Sequence, residues 1–254
     1  MSWREQWLGK VAVVTGSGAG IGAATAKLLA KKGVAVLAAT YQPDEGGEEV
    51  VQDIVDSGGK AVIAFGDVAK ESDLESMFEV ARSAFGPVDI LVQAAGGMSK
   101  VGRITDMTTD EWDRLQAVNL RSVFLGVRAS LPSMIERGWG RIVTVSSEAG
   151  RMPVRVTSPA YAAAKAGVLG LTRHVAREVA ATGVTINATA PSVTLSPRVL
   201  AGYGDRLESV RMEHPAQRLA EPEEQAAAIV FLCSPEASYI NGACIDVTGG
   251  AVNI

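Results

Sequence analysis

The amino-acid sequence predicts a single α/β domain, with a doubly wound parallel sheet of about seven strands and helices on both faces. Short apolar runs rich in β-branched residues alternate with longer stretches of helical spacing, an order typical of parallel sheets with right-handed crossovers. The chain has 254 residues and is 47% hydrophobic, which is enough apolar material for one large core. No repeat, low-complexity tract or linker divides residues 1–254, so we expect one domain.

Composition and charge exclude several classes of function. The net charge is −4 and no basic stripe occurs, so nucleic acid is not an expected partner. Cys233 and Cys244 lack metal-ligand spacing, and His174 and His214 are far apart, so we expect no metal site and no disulfide scaffold. The N-terminus lacks the apolar core of a signal peptide, and no apolar run reaches transmembrane length. We therefore expect a cytoplasmic protein without membrane contacts.

A glycine-rich segment links the first strand to the first helix. Val11–Thr15 has the pattern of a buried strand, and Ala23–Lys32 has helical spacing and good helix formers. Strand, glycine turn and helix together predict a dinucleotide site, because such a turn lets backbone N–H groups approach a pyrophosphate. The glycines fit two frames, Gly18-x-Gly20-x-x-Ala23 and Thr15-Gly16-x-x-x-Gly20-x-Gly22. The predicted contacts in this loop are Gly16, Ser17, Gly18, Gly20, Ile21 and Gly22.

The end of the second strand bears on which dinucleotide is preferred. Val34–Thr40 ends in Thr40 and Tyr41, two predicted cofactor contacts that supply neither an acid for the adenosine ribose nor an arginine for a 2′-phosphate. Asp44 and Glu45 follow too late and are assigned to the first turn of the next helix. Because no acid at the strand end repels a phosphate, the sequence favours NADP(H), with NAD(H) as the alternative.

The third and fourth strands are each followed by candidate cofactor contacts. Ala61–Phe65 is followed by Asp67 and Val68, and Asp67 can either accept a hydrogen bond from an adenine amino group or cap the helix that follows. The fourth strand, Val88–Val92, is followed by small residues that let a nucleotide lie against the strand end. These small residues are Ala94, Ala95 and Gly96. The helices before and after the third strand are predicted at Glu48–Ser57 and Ser72–Phe85.

Polar residues mark the next helix and strand. A long helix with an N-cap at its first residue is predicted over Thr109–Glu136, and Asn119 lies inside it, where asparagine competes for backbone hydrogen bonds. Asn119 considered alone is assigned a local structural role. The fifth strand, Arg141–Val145, ends in Ser146 and Ser147, and a hydroxyl group there lies where open α/β sheets bind ligands.

Tyr161 and Lys165 are four residues apart on a predicted helix and therefore share one face. A free tyrosine has a pKa of about 10 and is a poor acid or base near neutral pH. A nearby cation favours the phenolate, so we expect Lys165 to lower the pKa of Tyr161 and make the pair a proton-transfer device. Considered alone, this common pattern more often marks a surface tyrosine beside a solvated lysine.

These motifs together resemble the short-chain dehydrogenase/reductase family over nearly the whole chain. Thr15-Gly16-x-x-x-Gly20-x-Gly22 matches the family's cofactor loop, and Asn119, Ser147, Tyr161 and Lys165 match its four catalytic positions in order. The resemblance implies a Rossmann-like fold and hydride transfer between a nicotinamide cofactor and a small carbonyl or secondary alcohol substrate. Ser147 is preferred over Ser146 because its spacing to Tyr161 is nearer the family's.

The resemblance also implies a role for each catalytic residue. Tyr161 exchanges a proton with the carbonyl oxygen, and Ser147 orients and polarises that oxygen. Lys165 lowers the tyrosine pKa and hydrogen-bonds the nicotinamide ribose, while Asn119 holds a water that links Lys165 to solvent. The nearest subgroup is the 3-oxoacyl-thioester and general ketone reductases, and the family implies a homotetramer or a dimer.

The C-terminal third is assigned by the same resemblance. The sixth strand, Val184–Ala190, leads to the nicotinamide end of the site, where Pro191, the Val193 backbone and the Thr194 hydroxyl are candidate contacts. Residues 195–217 resemble the variable substrate lid, which excludes water. His214 is assigned to the lid surface, and a helix at Pro222–Cys233 and a last strand within Ile240–Val247 follow.

The chain departs from the family pattern in three places. Gln93-Ala94-Ala95-Gly96 replaces Asn-Asn-Ala-Gly, which changes the side-chain hydrogen bonds after the fourth strand. Pro191-Ser192 replaces Pro-Gly, so Ser192 must accept that backbone geometry. The segment between Ser147 and Tyr161 is longer by about one residue, which alters the rim of the substrate pocket.

Two other functions share part of these features. A non-catalytic dinucleotide-binding regulator would keep the glycine loop but would not need the four catalytic residues. A sugar-nucleotide epimerase or dehydratase shares the Tyr-x-x-x-Lys pattern, but usually has a longer C-terminal substrate region than this chain has after Val184.

Overall fold

The computed structural model describes residues 7–98, 102–154 and 157–252, and its centre is one sheet of parallel strands. The strands are β1 Val11–Thr15, β2 Ala35–Thr40, β3 Ala61–Phe65, β4 Ile90–Gln93, β5 Gly140–Val145, β6 Val184–Pro191 and β7 Cys244–Val247. They lie in the order β3-β2-β1-β4-β5-β6-β7, and every neighbouring pair is parallel. The order reverses between β1 and β4, and at such a switch point the carboxyl ends of the strands open a crevice for ligands.

Helices cover both faces of this sheet, which confirms the predicted fold class. The helices are α1 Gly20–Lys31, α2 Gly47–Asp56, α3 Glu71–Phe85, α4 Thr109–Gln116, α5 Ser122–Glu136, α6 Pro159–Val179, α7 Pro197–Tyr203, α8 Leu207–Glu213 and α9 Pro222–Cys233. Within the described residues, no helix combines the length and the apolar character that crossing a bilayer requires.

Two apolar clusters, one on each face, hold the helices to the sheet. Val11 and Val13 of β1 belong to the cluster that includes α3, α5 and α6, and Ala12 and Val14 belong to the cluster that includes α1, α2 and α9. Successive strand residues point to opposite faces, so a strand covered on both sides reads as one continuous apolar run. All five residues of β1 are buried, and this is why the strand appears in the sequence as a nearly continuous apolar run.

The single helix predicted over Thr109–Glu136 is wrong. A π-helical turn, Ala117–Arg121, separates α4 from α5. Asn119 lies in this turn, and its Nδ2 donates to the carbonyl of Leu115 at 3.0 Å, which competes with the regular helical hydrogen bonds. The N-cap is also one residue earlier than predicted, since the Thr108 hydroxyl accepts a backbone N–H of the first turn at 3.2 Å. Insertions of this kind are frequent at functional sites.

The segment predicted to be a lid, residues 195–217, contains α7, a 3₁₀ turn at Gly204–Arg206 and α8. His214 follows α8 and is buried, so its assignment to the lid surface is wrong. The side chain lies close to Gly249, where a Cβ atom would be 3.7 Å from His214 Nδ1. Gly249 itself has a φ of +56°, a backbone conformation that favours glycine.

Candidate active site

A cleft opens along the carboxyl ends of the central strands, at the switch point of the sheet. Its volume is about 680 Å³, within the usual range for small-molecule and cofactor sites. The lining comes from the glycine loop after β1, the small residues after β4, the serines after β5, the start of α6 and the segment between β6 and α7. The glycine loop and the Tyr-x-x-x-Lys pair therefore share one cavity.

Gly16 allows the loop after β1 to pass directly over the segment after β4. Its φ is +67°, and a Cβ atom there would lie 2.7 Å from Ala95 Cα. The Ala95 N–H donates to Thr15 Oγ1 at 3.2 Å, which fixes the two segments together. Gly22 is equally constrained, because its Cβ would lie 2.2 Å from the Gly16 carbonyl oxygen. The loop is thus a cradle of bare backbone, which fits a pyrophosphate group.

Most predicted cofactor contacts line this cleft. They are Gly16, Gly18, Gly20, Ile21, Gly22, Ala94, Ala95, Gly96, Tyr161, Lys165, Pro191, Val193 and Thr194. Ala94, Ala95 and Gly96 carry at most a methyl group, so they keep the floor of the cleft open for a flat ligand.

Five predicted contacts do not line the cleft: Ser17, Thr40, Tyr41, Asp67 and Val68. Ser17 is buried, and its hydroxyl donates to a β2 carbonyl at 3.3 Å, so it holds the glycine loop to the sheet. The Thr40 hydroxyl donates to the Gln42 carbonyl, two residues beyond β2, at 3.3 Å. The Asp67 carboxylate accepts the N–H two residues later at 2.9 Å, a local turn contact. Val68 packs against the apolar core.

The acids after β2 do not start the next helix, contrary to the sequence interpretation. Pro43–Glu45 form a separate 3₁₀ turn, and Gly46, with a φ of +83°, divides this turn from α2. The turn packs against the glycine loop so closely that a Cβ atom at Gly18 would lie 2.1 Å from the Glu45 carbonyl oxygen. The sequence interpretation failed because the position of this turn depends on contact with a loop some 25 residues earlier.

Asp44, Glu45 and Glu49 consequently line the β2 end of the cleft. The Glu45 carboxylate accepts the Tyr41 N–H at 2.9 Å and so closes the end of β2 with a negative charge. The cationic side chains among the described lining residues, Lys165 and Arg198, lie at the other end with Tyr161. The β2 end is therefore acidic, although no acid belongs to the strand end itself.

Asn119 anchors the loop after β4. Its Nδ2 donates to the Gly97 carbonyl at 2.9 Å, and its Oδ1 accepts the Gly97 N–H at 3.2 Å. A Cβ atom at Gly96 would lie 2.9 Å from Asn119 Oδ1 and 3.5 Å from Lys165 Nζ. Both polar groups therefore lie close to the backbone of this glycine. Asn119 is buried behind the cleft wall and acts on the site by positioning its backbone.

The two serines after β5 have different surroundings. Ser146 is buried, and its hydroxyl donates to the Lys165 carbonyl at 2.7 Å, which ties β5 to α6. Ser147 lines the cleft, accepts the Ala149 N–H at 3.2 Å and lies near enough to Tyr161 to lower the pKa of that phenol. Ser147, rather than Ser146, therefore faces the tyrosine.

Lys165 is buried on the inner face of α6. Its Nζ donates to the Val145 carbonyl at 2.8 Å and lies 5.6 Å from the centre of the Tyr161 ring. Burial lowers the pKa of Lys165 to about 8, because desolvation penalises the charged amine. The ammonium group is thus held at the end of β5 at a free-energy cost.

The pKa of Tyr161 is shifted in the direction opposite to the sequence expectation. Burial raises this pKa, and the Ser147 hydroxyl and the positive charge of Arg198 offset only part of the increase. The expected lowering by Lys165 is not found, and the Lys165 Nζ donates to the Val145 carbonyl. At neutral pH Tyr161 therefore keeps its proton, which suits a proton donor.

Three residues of the cleft wall were not identified from the sequence. Glu148, directly after Ser147, is buried, and burial raises its pKa to about 7. Arg198 on α7 donates from Nη1 to the Gly96 carbonyl at 2.9 Å, and Tyr203 ends the same helix. A charged residue close after a strand end, here the third residue beyond β5, was an available signal for Glu148. Arg198 and Tyr203 gave no such signal, because docking of α7 on the cleft is a tertiary contact.

Two of the three departures from the family pattern, Gln93 and Ser192, are accommodated by local hydrogen bonds. The third, the longer segment between Ser147 and Tyr161, includes residues 155–156, which lie outside the described residues. Gln93 Nε2 donates to the Val123 carbonyl at 3.2 Å, so the residue that replaces asparagine ties β4 to α5. Ser192 does not adopt a positive φ, and its carbonyl accepts the Thr194 hydroxyl at 3.0 Å. A glycine is thus not required at this turn.

Comparison with known proteins gives consistent matches. A family model described as enoyl-(acyl carrier protein) reductase matches residues 16–252. A 3-oxoacyl-(acyl-carrier-protein) reductase of Vibrio cholerae is 38% identical over 242 residues, covering 95% of this chain and 97% of that protein. The cis-4-hydroxycyclohexanecarboxylate dehydrogenase of Sinomonas cyclohexanicum is 38% identical over 246 residues, covering 97% and 98%.

A solved structure agrees with these sequence matches. The crystal structure of a levodione reductase superposes with a TM-score of 0.91 at 32% identity and covers 96% of this chain and 97% of that chain. Fold and sequence are therefore similar to the same class of reductases and dehydrogenases.

Proposed function

The chain belongs to the short-chain dehydrogenase/reductase family, and on this premise we propose how its residues carry out the reaction. It is an NAD(P)-dependent oxidoreductase that acts on carbonyl and secondary alcohol groups. We propose a ketone as the substrate, either a 3-oxoacyl thioester or a cyclic ketone, as the names of the relatives suggest. The supporting observation is that Ser147, Tyr161 and Lys165 meet in one cleft with the glycine cradle.

Tyr161 is the proposed proton donor for carbonyl reduction. Its raised pKa keeps the phenol protonated at neutral pH, and Ser147 lines the same part of the cleft. Ser147 Oγ and Tyr161 Oη then hold the carbonyl oxygen between them, so the proton passes to the oxygen as negative charge develops there. Alcohol oxidation reverses this step, and Tyr161 takes the proton.

Lys165 and Asn119 support this proton transfer. Lys165 Nζ is held by the Val145 carbonyl, from where it can hydrogen-bond the ribose next to the nicotinamide. Asn119 positions the loop that separates it from Lys165, and its Oδ1 is placed to hold a water that resupplies protons. When bound, the nicotinamide supplies or accepts the hydride, and the protein supplies orientation and electrostatics.

We further propose that the preferred cofactor is NAD(H). The sequence favours NADP(H) because β2 ends without an acid, but Asp44, Glu45 and Glu49 line that end of the cleft. A 2′-phosphate there would meet these carboxylates. The cationic side chains among the described lining residues, Lys165 and Arg198, lie at the other end of the cleft and do not balance its charge. Ribose hydroxyl groups can instead donate hydrogen bonds to such carboxylates.

Replacing Glu45 by glutamine is expected to strengthen NADPH binding about fivefold, because it removes an exposed charge worth about 1 kcal/mol. The amide oxygen can still accept the Tyr41 N–H, so the turn is retained. NADH binding should change less than NADPH binding, as measured by fluorescence titration of both cofactors. Glu48→Gln is the matched control, because Glu48 is an exposed neighbour outside the cleft lining. Tighter binding of NADPH than of NADH by the wild type would contradict the preference.

The function itself is tested by following nicotinamide absorbance with a panel of ketones and alcohols. Turnover that is lost on changing Tyr161 supports the oxidoreductase mechanism. Cofactor binding with no turnover of any carbonyl would instead support a dinucleotide-binding regulator.

The assembly is expected to be a homotetramer, or a dimer, of single-domain chains in the cytoplasm. Tyr239 and Phe231, near β7 and on α9, are exposed apolar side chains in the region that the family commonly uses for subunit contacts. Sedimentation velocity would measure the oligomeric state, and a monomer at micromolar concentration would contradict this expectation.

A further inference from the structure

The cleft contains an acidic side chain that the proposed mechanism does not use. Glu148 starts the 3₁₀ turn Glu148–Gly150, lines the cleft and is only 7% exposed. Its carbonyl accepts the Arg151 and Met152 N–H groups at 2.9 and 3.0 Å, so its backbone is fixed. Within residues 7–98, 102–154 and 157–252, its carboxyl group has no hydrogen-bond or ion-pair partner, and burial alone accounts for its shifted pKa.

The groups that face this carboxyl come from α6 and α7. Glu148, Tyr161 and Tyr203 line the same cleft, and the charge of Glu148 raises the pKa of both phenols. The nearby cations are already engaged, since Arg198 donates to the Gly96 carbonyl and Lys165 to the Val145 carbonyl. The oxygens of this carboxyl group are reached only from the cleft, because they lie in a side chain that is 7% exposed and are not among the fully buried unpaired atoms, so a donor that enters the cleft can bind them. In this cleft the substrate can bring that donor.

We propose that Glu148 determines substrate specificity by accepting a hydrogen bond from a hydroxyl group on the carbon next to the reacting carbonyl. Ser147 and Tyr161 hold the carbonyl oxygen in the proposed function, on which this inference rests, and Glu148 follows Ser147 directly in the chain. The substrate class is then α-hydroxyketones and the corresponding vicinal diols. A plain ketone leaves the carboxyl group unpaired, and a carboxylate at the same place is repelled.

The test compares two ketones that differ only in this hydroxyl group, 2-hydroxycyclohexanone and cyclohexanone. We expect the wild-type enzyme at pH 8 to prefer the hydroxyketone in kcat/KM by about 10- to 100-fold, the range of a hydrogen bond to a charged group. Glu148→Leu should reduce the ratio to near 1, and Glu148→Gln should leave an intermediate ratio. Glu213→Gln, an exposed acid on α8 outside the cleft lining, should keep the wild-type ratio.

The pH profile separates this role from a purely structural one. The pKa of Glu148 is about 7, so the wild-type ratio should rise through neutral pH as the stronger acceptor, the carboxylate, forms. Titration of Tyr161, Tyr203 or Lys165 affects both ketones alike and cancels in the ratio, and so does the constant charge of Arg198. The ratio of the Glu148→Gln enzyme should not depend on pH.

A wild-type ratio near 1, or a ratio that neither Glu148 variant changes, would overturn the proposal. Thermal unfolding and NADH titration of each variant establish that the fold and the cofactor site are intact. If neither ketone is turned over, the proposed function fails, and calorimetry still decides the inference. Tighter binding of the hydroxyketone to the wild type than to Glu148→Leu supports the inference, and equal binding overturns it.

Discussion

Replacing Tyr161 by phenylalanine is expected to reduce kcat by about 10²- to 10⁴-fold, the usual contribution of a positioned general acid. The phenyl ring keeps the packing of the half-buried side chain but removes the hydroxyl group that is the proposed proton donor. The glycine cradle and the Lys165 position do not depend on that hydroxyl, so the dissociation constant for NADH should change little. Steady-state kinetics and fluorescence titration measure the two quantities.

Tyr203→Phe is the matched control, because it removes a second phenol from the wall of the same cleft. We expect this variant to keep kcat within about tenfold of the wild type, since Tyr203 lines the cleft but has no role in the proposed proton transfer. Near wild-type turnover by the Tyr161→Phe enzyme would exclude Tyr161 as the proton donor. Equal losses in both variants would point to general disruption of the cleft.

The fold was predictable because its signals are local. β1 and β3 are found at their predicted bounds, since each is a short apolar run between polar or glycine residues. The helix Pro222–Cys233 is also found as predicted, with proline in its first turn and a capping box between Glu221 and Glu224. Patterns within about ten residues carried this information.

The features that the sequence did not reveal depend on contacts between distant segments. The π-helical turn at Asn119 depends on the Gly97 loop, 22 residues away. The acidic turn at Pro43–Glu45 is positioned by Gly18, and the lid residue Arg198 reaches Gly96 across 102 residues. Nothing in the local pattern reports such distances. They set the distribution of charge in the cleft, so the proposed cofactor preference depends on contacts that no local pattern reports.

The direction of the Tyr161 pKa shift shows the same limit. Helical spacing correctly predicts that Tyr161 and Lys165 share a face, but it does not report desolvation. Burial opposes charge on both side chains, so it raises the pKa of the phenol and lowers that of the amine. At neutral pH Lys165 still carries its charge, because its pKa of about 8 lies above 7, whereas Tyr161 stays neutral.

Lys165→Met is expected to stabilise the protein while reducing its activity. The pKa of Lys165 is lowered from 10.5 to about 8, so keeping its charge in the fold at neutral pH costs about 3 kcal/mol. Methionine fills a similar volume without charge, and loss of the hydrogen bond to the Val145 carbonyl offsets part of the gain. We expect the free energy of unfolding to rise by about 1–3 kcal/mol in denaturant titrations at pH 7. The same substitution, Lys165→Met, should reduce kcat/KM at least about 100-fold.

The pH dependence identifies the buried charge as the cause. Because the folded pKa lies below the unfolded value of 10.5, the cost is fully present below about pH 8 and disappears as pH rises to 10.5. The stability difference between variant and wild type should therefore shrink over this window, and other titrating groups cancel in the difference. Lys60→Met, at an exposed position, should change stability by no more than about 0.5 kcal/mol at any pH. The prediction is contradicted if the Lys165→Met protein is less stable than the wild type at pH 7. The hydrogen bond to the Val145 carbonyl would then outweigh the desolvation cost, and the charge of Lys165 would not destabilise the fold.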